Sequence, residues 1–317
     1  MAPPTDAQMK RIVGALNERG QFRSLISLAS TPSRGAYERV LHDLYRLLRL
    51  DTRAAQEYAE GFYSIRRSKE SAQLNRYREI YAFDRTAVRI PNDVDTWLRT
   101  GGDVEELGED ESGYLNANVI DDGKGSWWVA CQAPLPATIH PFLMAILTRS
   151  ATFKHVHLYG GGKHHAKVSP PKTAIIVQLT GLYEGDVVKA HPYLPTRPGE
   201  SLIYDPPAHI ANKQPHIKLT LDRTTPLEHT SSVQSTLTLT GEGAAIPRMT
   251  LHHFAFAGWP DFGVPRGDDV YKLQELIREV GRTQRDAQKQ DGGTGCEVWV
   301  HWCVSPLFSS TLFTHAR

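Results

Sequence analysis

The spacing of apolar residues changes twice along this chain, and that change limits the folds open to it. Across residues 1–69 apolar side chains recur at helical intervals, as in Met9, Ile12, Val13 and Leu16. Between Arg89 and Thr250 they form short runs or alternate with polar residues, which is typical of strands. Helical spacing returns after Asp268, and a final strand-like stretch follows. This order predicts a helical prefix and then a sheet with helices around it.

Particular segments carry the prediction of the sheet and its last helix. The predicted strands are Ala174 to Leu179 and the alternating sets Ile217, Leu219, Leu221 and Leu237, Leu239. The predicted helix is outlined by Val270, Leu273, Leu276, Ile277 and Val280. Two polar stretches are expected to be insertions or linkers: residues 151–172, which contain histidines, and residues 281–295.

The predicted fold class is α/β (α+β), with a central twisted mixed sheet flanked by helices. The simplest architecture from this pattern is one mixed domain behind a helical N-terminal prefix (1–69). No repeat of fixed period is present in the sequence, which excludes a solenoid or propeller.

Composition excludes several classes of function. The formal net charge of +1 argues against a basic nucleic-acid surface. Three scattered cysteines, Cys131, Cys296 and Cys303, form neither a disulfide framework nor a paired zinc motif, which indicates a reducing compartment. No apolar stretch reaches the ~18 residues of a membrane span, and the start lacks a secretory signal. A cytoplasmic or nuclear location is therefore expected. No cofactor or metal is expected. The oligomeric state cannot be predicted from the sequence.

The most specific motif is WPDFGVP, from Trp259 to Pro265, which follows His253, Phe254 and Phe256. Two prolines and a glycine restrict the backbone of a loop around one carboxylate, Asp261. Taken alone, an aspartate after a proline is as readily explained by the start of a turn. Other motifs along the chain favour the chemical interpretation.

Those motifs resemble, in order, the conserved blocks of the protein tyrosine phosphatase family. They are LNRYREI, FDRT, YLNANVI, ACQAPLPAT, the segment from Ile175 to Pro195, and WPDFGVP. The resemblance covers roughly Glu70 to His301. It implies a domain at 70–301 with the fold of the cysteine phosphatases and an insertion at 151–172, followed by a tail (302–317) outside the family pattern. Three positions depart from the family pattern, each in a way that concerns packing more than chemistry: Ala87, Ala190 and Leu194.

The resemblance also implies roles for individual residues. Tyr77 would line the pocket and stack on the substrate ring, since an aromatic face forms a deep, flat slot. Arg78 would meet acidic residues beside the phosphotyrosine, and Glu79, where the family usually has Asp, would bind the peptide backbone. Asp261 would be the general acid, buried against Trp259 when its loop closes. Trp259, and His301, which leads into the phosphate loop, are placed with the substrate-binding residues.

The family's chemistry needs a cysteine after that histidine and an arginine further along the loop. Backbone N–H groups of such a loop cradle the phosphate and stabilise a nucleophilic thiolate. Here Trp302 occupies the cysteine position, Cys303 comes one residue late, and Ser309 stands where the arginine would follow Cys303. Residues 304–308 contain no glycine, and Pro306 removes an N–H donor. Cys303 is thus a catalytic candidate out of register, and the chain as written is predicted to be inactive.

The genetic code suggests an origin for this departure. Trp302 followed by Cys303 requires a coding strand that reads TG and then GT, the usual start of an intron. We therefore hypothesise a retained intron or gene-model error, so that the family's C-terminal helices are missing. A cDNA that encodes Trp302 and the same tail, without a spliced form, would rule this out. The missing helices are expected to leave apolar residues of the central last strand uncovered and the chain poorly stable.

Other functions remain open from the sequence alone. A catalytically silent pseudophosphatase or a scaffold in phosphotyrosine signalling is the alternative to an active enzyme. In either case the expected partners are phosphotyrosine-containing proteins or peptides. His155, His157, His164 and His165 are weighed as a metal site, but their spacing matches no ligand pattern, which favours an exposed insertion loop.

Overall fold

The structure is a computed structural model that describes residues 64–77, 80–99, 111–121, 126–159, 172–184, 186–243, 246, 248–259, 265–292 and 295–302. Contacts divide the chain into two compact units, residues 1–65 and 66–317, and all the elements described below belong to the second. Nearly all of the predicted helical prefix and almost all of the predicted tail lie outside the described residues. No described helix is both long enough and apolar enough to cross a bilayer.

Five α-helices lie among the described residues. They are α1 (Arg66–Glu70), α2 (Val94–Arg99), α3 (Ile139–Leu147), α4 (Ser150–Tyr159) and α5 (Asp268–Gln290). The helix α3 is almost entirely apolar, as expected of a helix buried against a sheet. In contrast, α5 buries only a stripe, formed by Leu273, Leu276, Val280 and Ala287. Short 3₁₀ turns connect the elements at residues 72–74, 136–138, 208–210 and 228–230.

Twelve strands are present in the described part of the chain. The short ones pair as β1 (Ile90–Pro91) with β2 (Ser112–Gly113) and β6 (Tyr183–Glu184) with β7 (Val187–Val188). The others are β3 (Ala117–Asp121), β4 (Trp127–Gln132), β5 (Thr173–Gln178), β8 (Ser201–Tyr204), β9 (His216–Leu227), β10 (Ser232–Glu242), β11 (Met249–Phe256) and β12 (Glu297–Trp302).

These eight strands form one mixed twisted sheet, in the order β3-β4-β12-β5-β11-β10-β9-β8. The four central strands, β4, β12, β5 and β11, are mutually parallel, and the remaining neighbours are antiparallel. The fold class predicted from the sequence is thus confirmed, including the strands assigned to β5, β9 and β10. The strand β12 lies in the middle, between β4 and β5.

Both faces of the sheet are covered. On one face, which we call the α3 face, Phe142 and Ile146 of α3 pack in a buried cluster with Ile176, Leu251 and Trp299. On the other, the α5 face, the stripe of α5 packs against a second buried cluster, which includes Ile175, Val177, Phe254, Val298 and Val300. Parallel strands with both faces covered read as nearly continuous apolar runs, which explains the sequence pattern of β5 and β12.

The covering helices correct the expectation that β12 would have exposed apolar residues. Val298, Trp299 and Val300 are 5%, 0% and 2% exposed. The valines lie in the cluster on the α5 face, and Trp299 lies in the cluster on the α3 face. The expectation of exposed apolar residues was wrong, because both faces of the strand are packed in these clusters. The poor stability predicted for the chain stays a prediction.

Two predicted linkers also turn out to be partly helical. Most of residues 281–295 belongs to α5, which continues to Gln290. Apolar spacing fades there because only Ala287 is buried in the last turns, while ion pairs such as Lys289 with Asp286 support the exposed side. Likewise, residues 151–159 of the predicted insertion form most of α4 rather than an exposed loop. Lys154 in that helix is buried.

Candidate active site

The carboxyl ends of the four parallel strands meet at one edge of the sheet. The register pairs Trp302 of β12 with Gln132 at the end of β4. On the other side of β12, the N–H of Leu179 donates to the carbonyl of His301 over 3.0 Å. The strand β11 runs in the same direction and leads to Trp259. Because ligands of α/β sheets bind outside the carboxyl ends of strands, this edge is the candidate site.

The segment that carries Tyr77 is bonded to this edge through Gln132. The side-chain carbonyl of Gln132 accepts the backbone N–H of Arg76 at 2.8 Å, and its amide nitrogen donates to the carbonyl of Leu74 at 2.7 Å. Gln132 is 6% exposed, and both hydrogen bonds are partly buried, which strengthens them. Tyr77, which is half-buried, is therefore held beside the end of β12.

Arg76 adds three further contacts to the same region. Its guanidinium donates to the carbonyls of Ala133 and Pro134, at 3.1 and 2.9 Å, and to Nδ1 of His191 at 3.0 Å. Burial first, and then the charge of Arg76, lower the pKa of His191, which favours the neutral ring that accepts this bond. Arg76 thereby connects the Tyr77 segment to the loop after β4 and to the segment before Tyr193.

A second network of hydrogen bonds holds Asn75 and Ile80, the residues on either side of Tyr77 that the network contacts. The carbonyl of the Asn75 side chain accepts the hydroxyl of Tyr114 at 2.6 Å and the amide of Asn116 at 2.9 Å. Asn116 also donates to the carbonyl of Ile80 at 2.8 Å, and Asn75 donates to the carbonyl of Ser68 at 2.8 Å. Burial raises the pKa of Tyr114 to about 12, so its hydroxyl stays a donor. Both ends of the segment around residues 78 and 79 are thus fixed.

His301, the residue before the last of β12, lies deep in the core. Its ring is 0% exposed, and Nε2 shares a hydrogen bond of 2.8 Å with the hydroxyl of Tyr193. Phe142 packs edge-on against it, with ring centroids 6.2 Å apart. The sequence predicts His301 among the substrate-binding residues. In the structure its ring has no exposed surface, and its role stays a prediction.

A second buried histidine lies close to His301. The rings of His253 and His301 are 6.5 Å apart, and Nε2 of His253 donates to the side-chain carbonyl of Gln178 at 3.1 Å. Burial lowers the pKa of His253 to about 4, and burial together with the charges of His253 and Arg76 lowers that of His301 well below its ordinary value. Both rings are therefore neutral near pH 7. Burial likewise raises the pKa of Tyr193 well above its ordinary range.

The described residues bring only part of the predicted site together. Trp259 is half-buried and packs against the core on the α5 face, at the start of the WPDFGVP segment. Asp261, Arg78, Glu79 and Cys303 lie outside the described residues, so their roles stay predictions.

Sequence reasoning missed the residues that hold the site in place. Gln132, Arg76, Tyr193 and His253 all lie within or beside the quoted motifs, but none was given a role. The sequence did carry a signal for Gln132 and His253, which lie in strands. A buried polar or ionisable residue in an otherwise apolar strand needs a hydrogen-bond partner. The three residues that depart from the family pattern all take part in packing. Ala87 and Ala190 are buried, and Leu194 packs against the core.

The two described cysteines do not offer a nucleophile. Cys131 and Cys296 are both buried and free, and burial raises the thiol pKa of both. Such thiols are poorly ionised and inert. Within the described ranges, no three ionisable side chains cluster as metal ligands would. His155, the first histidine of the considered metal site, instead stacks on Trp127 with centroids 4.8 Å apart.

Known proteins resemble this chain over most of its length. Tyrosine phosphatase H2 of Microplitis demolitor bracovirus is 28% identical over 233 residues, which is 73% of this chain and 55% of that protein. The human tyrosine-protein phosphatase non-receptor type 13 is 26% identical over 223 residues, 69% of this chain but 7% of that protein. The chain thus spans about half, or far less, of the length of these relatives.

Solved structures give the same result for the fold. A protein tyrosine phosphatase of Trypanosoma brucei superposes with a TM-score of 0.50 at 22% identity, covering 83% of this chain and 76% of that one. The family profile described as "Protein-tyrosine phosphatase" matches residues 71–155 and 165–296, more than half of the chain. The break in that match, at 156–164, falls inside the segment predicted as an insertion. The chain therefore belongs to the protein tyrosine phosphatase family.

Proposed function

We propose that the gene specifies a phosphatase that hydrolyses phosphotyrosine in proteins, and that the chain as written does not turn over. Family membership supports the first statement, because it brings phosphoprotein hydrolysis as the family's reaction. The observation that carries the proposal is the edge formed by β4, β12 and β5, where Tyr77 is held beside the end of the strand that should lead into a phosphate loop.

The proposed reaction uses a cysteinyl-phosphate intermediate. A thiolate after His301 attacks phosphorus, the P–O bond to tyrosine breaks, and Asp261 gives its proton to the departing phenolate. Water then attacks phosphorus and gives a proton to the Asp261 carboxylate, the P–S bond breaks, and inorganic phosphate is released with the thiolate restored. Tyr77 sets a pocket depth that phosphotyrosine fills and shorter phosphoserine does not.

The arrangement after His301 explains why turnover fails in this sequence. Trp302 follows the histidine, so the thiol of Cys303 is one residue out of register. Ser309 supplies no guanidinium, and residues 304–308 are without glycine, so no ring of N–H groups can close around three phosphate oxygens. Capture of phosphotyrosine without hydrolysis needs the same N–H groups and arginine. The pseudophosphatase alternative is therefore disfavoured for the same reason.

Release of inorganic phosphate from a tyrosine-phosphorylated peptide tests this proposal. The 317-residue chain should release none above buffer, and Cys303→Ser should change nothing. A form encoded by a message that places cysteine directly after His301 should release phosphate, and Asp261→Ala in that form should slow release by about 10²–10⁴-fold. Asp205→Ala, at an exposed position, is the matched control.

Two results would contradict the proposal. One is release by the 317-residue chain that Cys303→Ser abolishes. The other is the absence of any message that encodes a cysteine after His301, since the phosphatase assigned to the gene would then have no nucleophile.

A further inference from the structure

Strand β12 carries a carboxylate into the core. Glu297, its first residue, is 1% exposed and faces the same side of the sheet as Trp299. A buried carboxylate is unfavourable unless hydrogen bonds and an opposite charge compensate for the lost water. The contacts of Glu297 therefore show what holds it there.

Three donors bind the two carboxylate oxygens. Oε1 accepts the backbone N–H of Thr152 at 2.7 Å and also the hydroxyl of the same threonine. Oε2 accepts the indole N–H of Trp299 at 2.9 Å. Thr152 lies in the first turn of α4, where backbone N–H groups have no partner within the helix. The carboxylate thus joins the beginning of α4 to β12.

An opposite charge lies nearby at a strained position. Arg149, between α3 and α4, is 4% exposed and has φ of +59°, in the left-handed region where glycine usually ends a helix. An arginine there is unfavourable for the backbone, and such strained positions often place a side chain that is used. Its charge favours the ionised form of Glu297 and opposes the effect of burial, which raises the pKa of that carboxyl. The charge of Glu297 in turn favours the ionised guanidinium.

The opposite end of β12 is the end that forms the candidate site. Four residues beyond Glu297, the carbonyl of His301 accepts the N–H of Leu179, and the His301 ring binds Tyr193. A shift of β12 by one residue would turn Glu297 to the α5 face, away from Thr152. The contact with α4 therefore specifies the register of the whole strand.

We propose that Glu297 is a positioning residue, whose buried carboxylate ties β12 to the first turn of α4 and so fixes where the strand presents His301. Nothing in the family's chemistry requires a carboxylate at this place. Its effect on the position of His301 is independent of turnover, while any effect on phosphate release rests on the proposed function.

Amide hydrogen exchange at Leu179 reports the position of His301 directly, because that amide donates to the His301 carbonyl. In Glu297→Gln, exchange at Leu179 should become at least about tenfold faster relative to the amides of β10, which lie elsewhere in the same sheet. Thr152→Ala, which removes only the hydroxyl donor, should give the same pattern at smaller amplitude. Glu242→Gln, at the exposed end of β10, should leave the ratio unchanged.

A spectroscopic signal tests the contact between Glu297 and Trp299 directly, and the exchange ratio separates positioning from general stability. The Trp299 indole N–H, identified among the six tryptophans by a Trp299→Phe variant, should be the one that shifts in Glu297→Gln. Equal acceleration at Leu179 and in β10 would overturn the proposal, as would an unchanged Leu179 rate. If Glu297→Gln does not fold, Thr152→Ala decides by the same ratio. None of these readouts uses phosphate release, so failure here is distinct from failure of the proposed function.

Discussion

Two neutral histidines and a tyrosine lie buried beneath the candidate site. His301 binds Tyr193, and His253 binds Gln178, with every one of these side chains buried. A polar group inside a protein is stabilising only while its partners remain in place and its charge state is unchanged. The site is therefore sensitive, residue by residue, to protonation and to loss of a hydroxyl.

Stability should fall in mild acid because of His253. The unfolded chain binds a proton at this residue below its ordinary pKa of 6.5, whereas the folded chain resists protonation until its pKa of about 4. Stability is thus fully present above pH 6.5 and is lost as pH falls towards 4, by about 2 kcal/mol at pH 5. Urea unfolding of His253→Gln at pH 7 and pH 5 should show a pH effect smaller by about that amount. His229→Gln, on an exposed turn, is the control, and an unchanged pH effect in His253→Gln would contradict the assignment.

The hydroxyl of Tyr193 should contribute measurably to stability. Tyr193→Phe keeps the ring, which packs edge-on against Phe142, but leaves Nε2 of His301 without its partner. Leaving a buried polar atom unpaired costs about 1–3 kcal/mol. Chemical denaturation at pH 7 measures this cost. Tyr271→Phe, at a position 68% exposed, should change stability little. Equal effects of both substitutions would show that the hydrogen bond adds nothing.

At the scale of elements, the pattern of apolar residues predicted the strands and the part of the helix whose side chains are buried. The strands β9 and β10 and the beginning of α5 followed from periodicity, because each buries side chains at regular intervals. The strand β5 followed from a short apolar run, because every one of its residues is buried. The end of α5 did not, since its last turns bury only Ala287 and carry polar residues elsewhere. The contacts of Gln132 and Tyr193 could not be predicted either, because they join residues far apart in sequence.

The helical state of residues 281–290 can be tested with two glycines. Gly281 lies inside α5, and an added Cβ would meet only Nη1 of the flexible Arg285 side chain, at 3.3 Å. Gly281→Ala should therefore raise stability by about 0.5–1 kcal/mol. Gly292, beyond the end of α5, has φ of +71°, so Gly292→Ala should lower stability by about 1 kcal/mol. Thermal melts of both variants measure the opposite signs, and destabilisation by Gly281→Ala would contradict a helix at this position.

At the scale of the whole domain, one sheet separates two buried clusters. Strand β12 contributes Trp299 to the cluster on the α3 face and two valines to the cluster on the α5 face. Neither cluster can lose its packing without uncovering the central parallel strands, which have little polar surface to offer water. The site at the carboxyl ends of these strands depends on both clusters at once.

The two clusters should therefore unfold together. Phe142→Leu, on the α3 face, and Leu276→Ala, on the α5 face, each alter a side chain that is 0% or 1% exposed. Leu276→Ala should cost about 2–5 kcal/mol through its cavity. In each variant, tryptophan fluorescence and far-UV circular dichroism should report one coincident transition, shifted to lower denaturant. Val270→Ala, at a position 37% exposed on α5, should shift neither probe appreciably. Separate transitions, with one cluster lost while the other persists, would show that β12 does not couple the two faces.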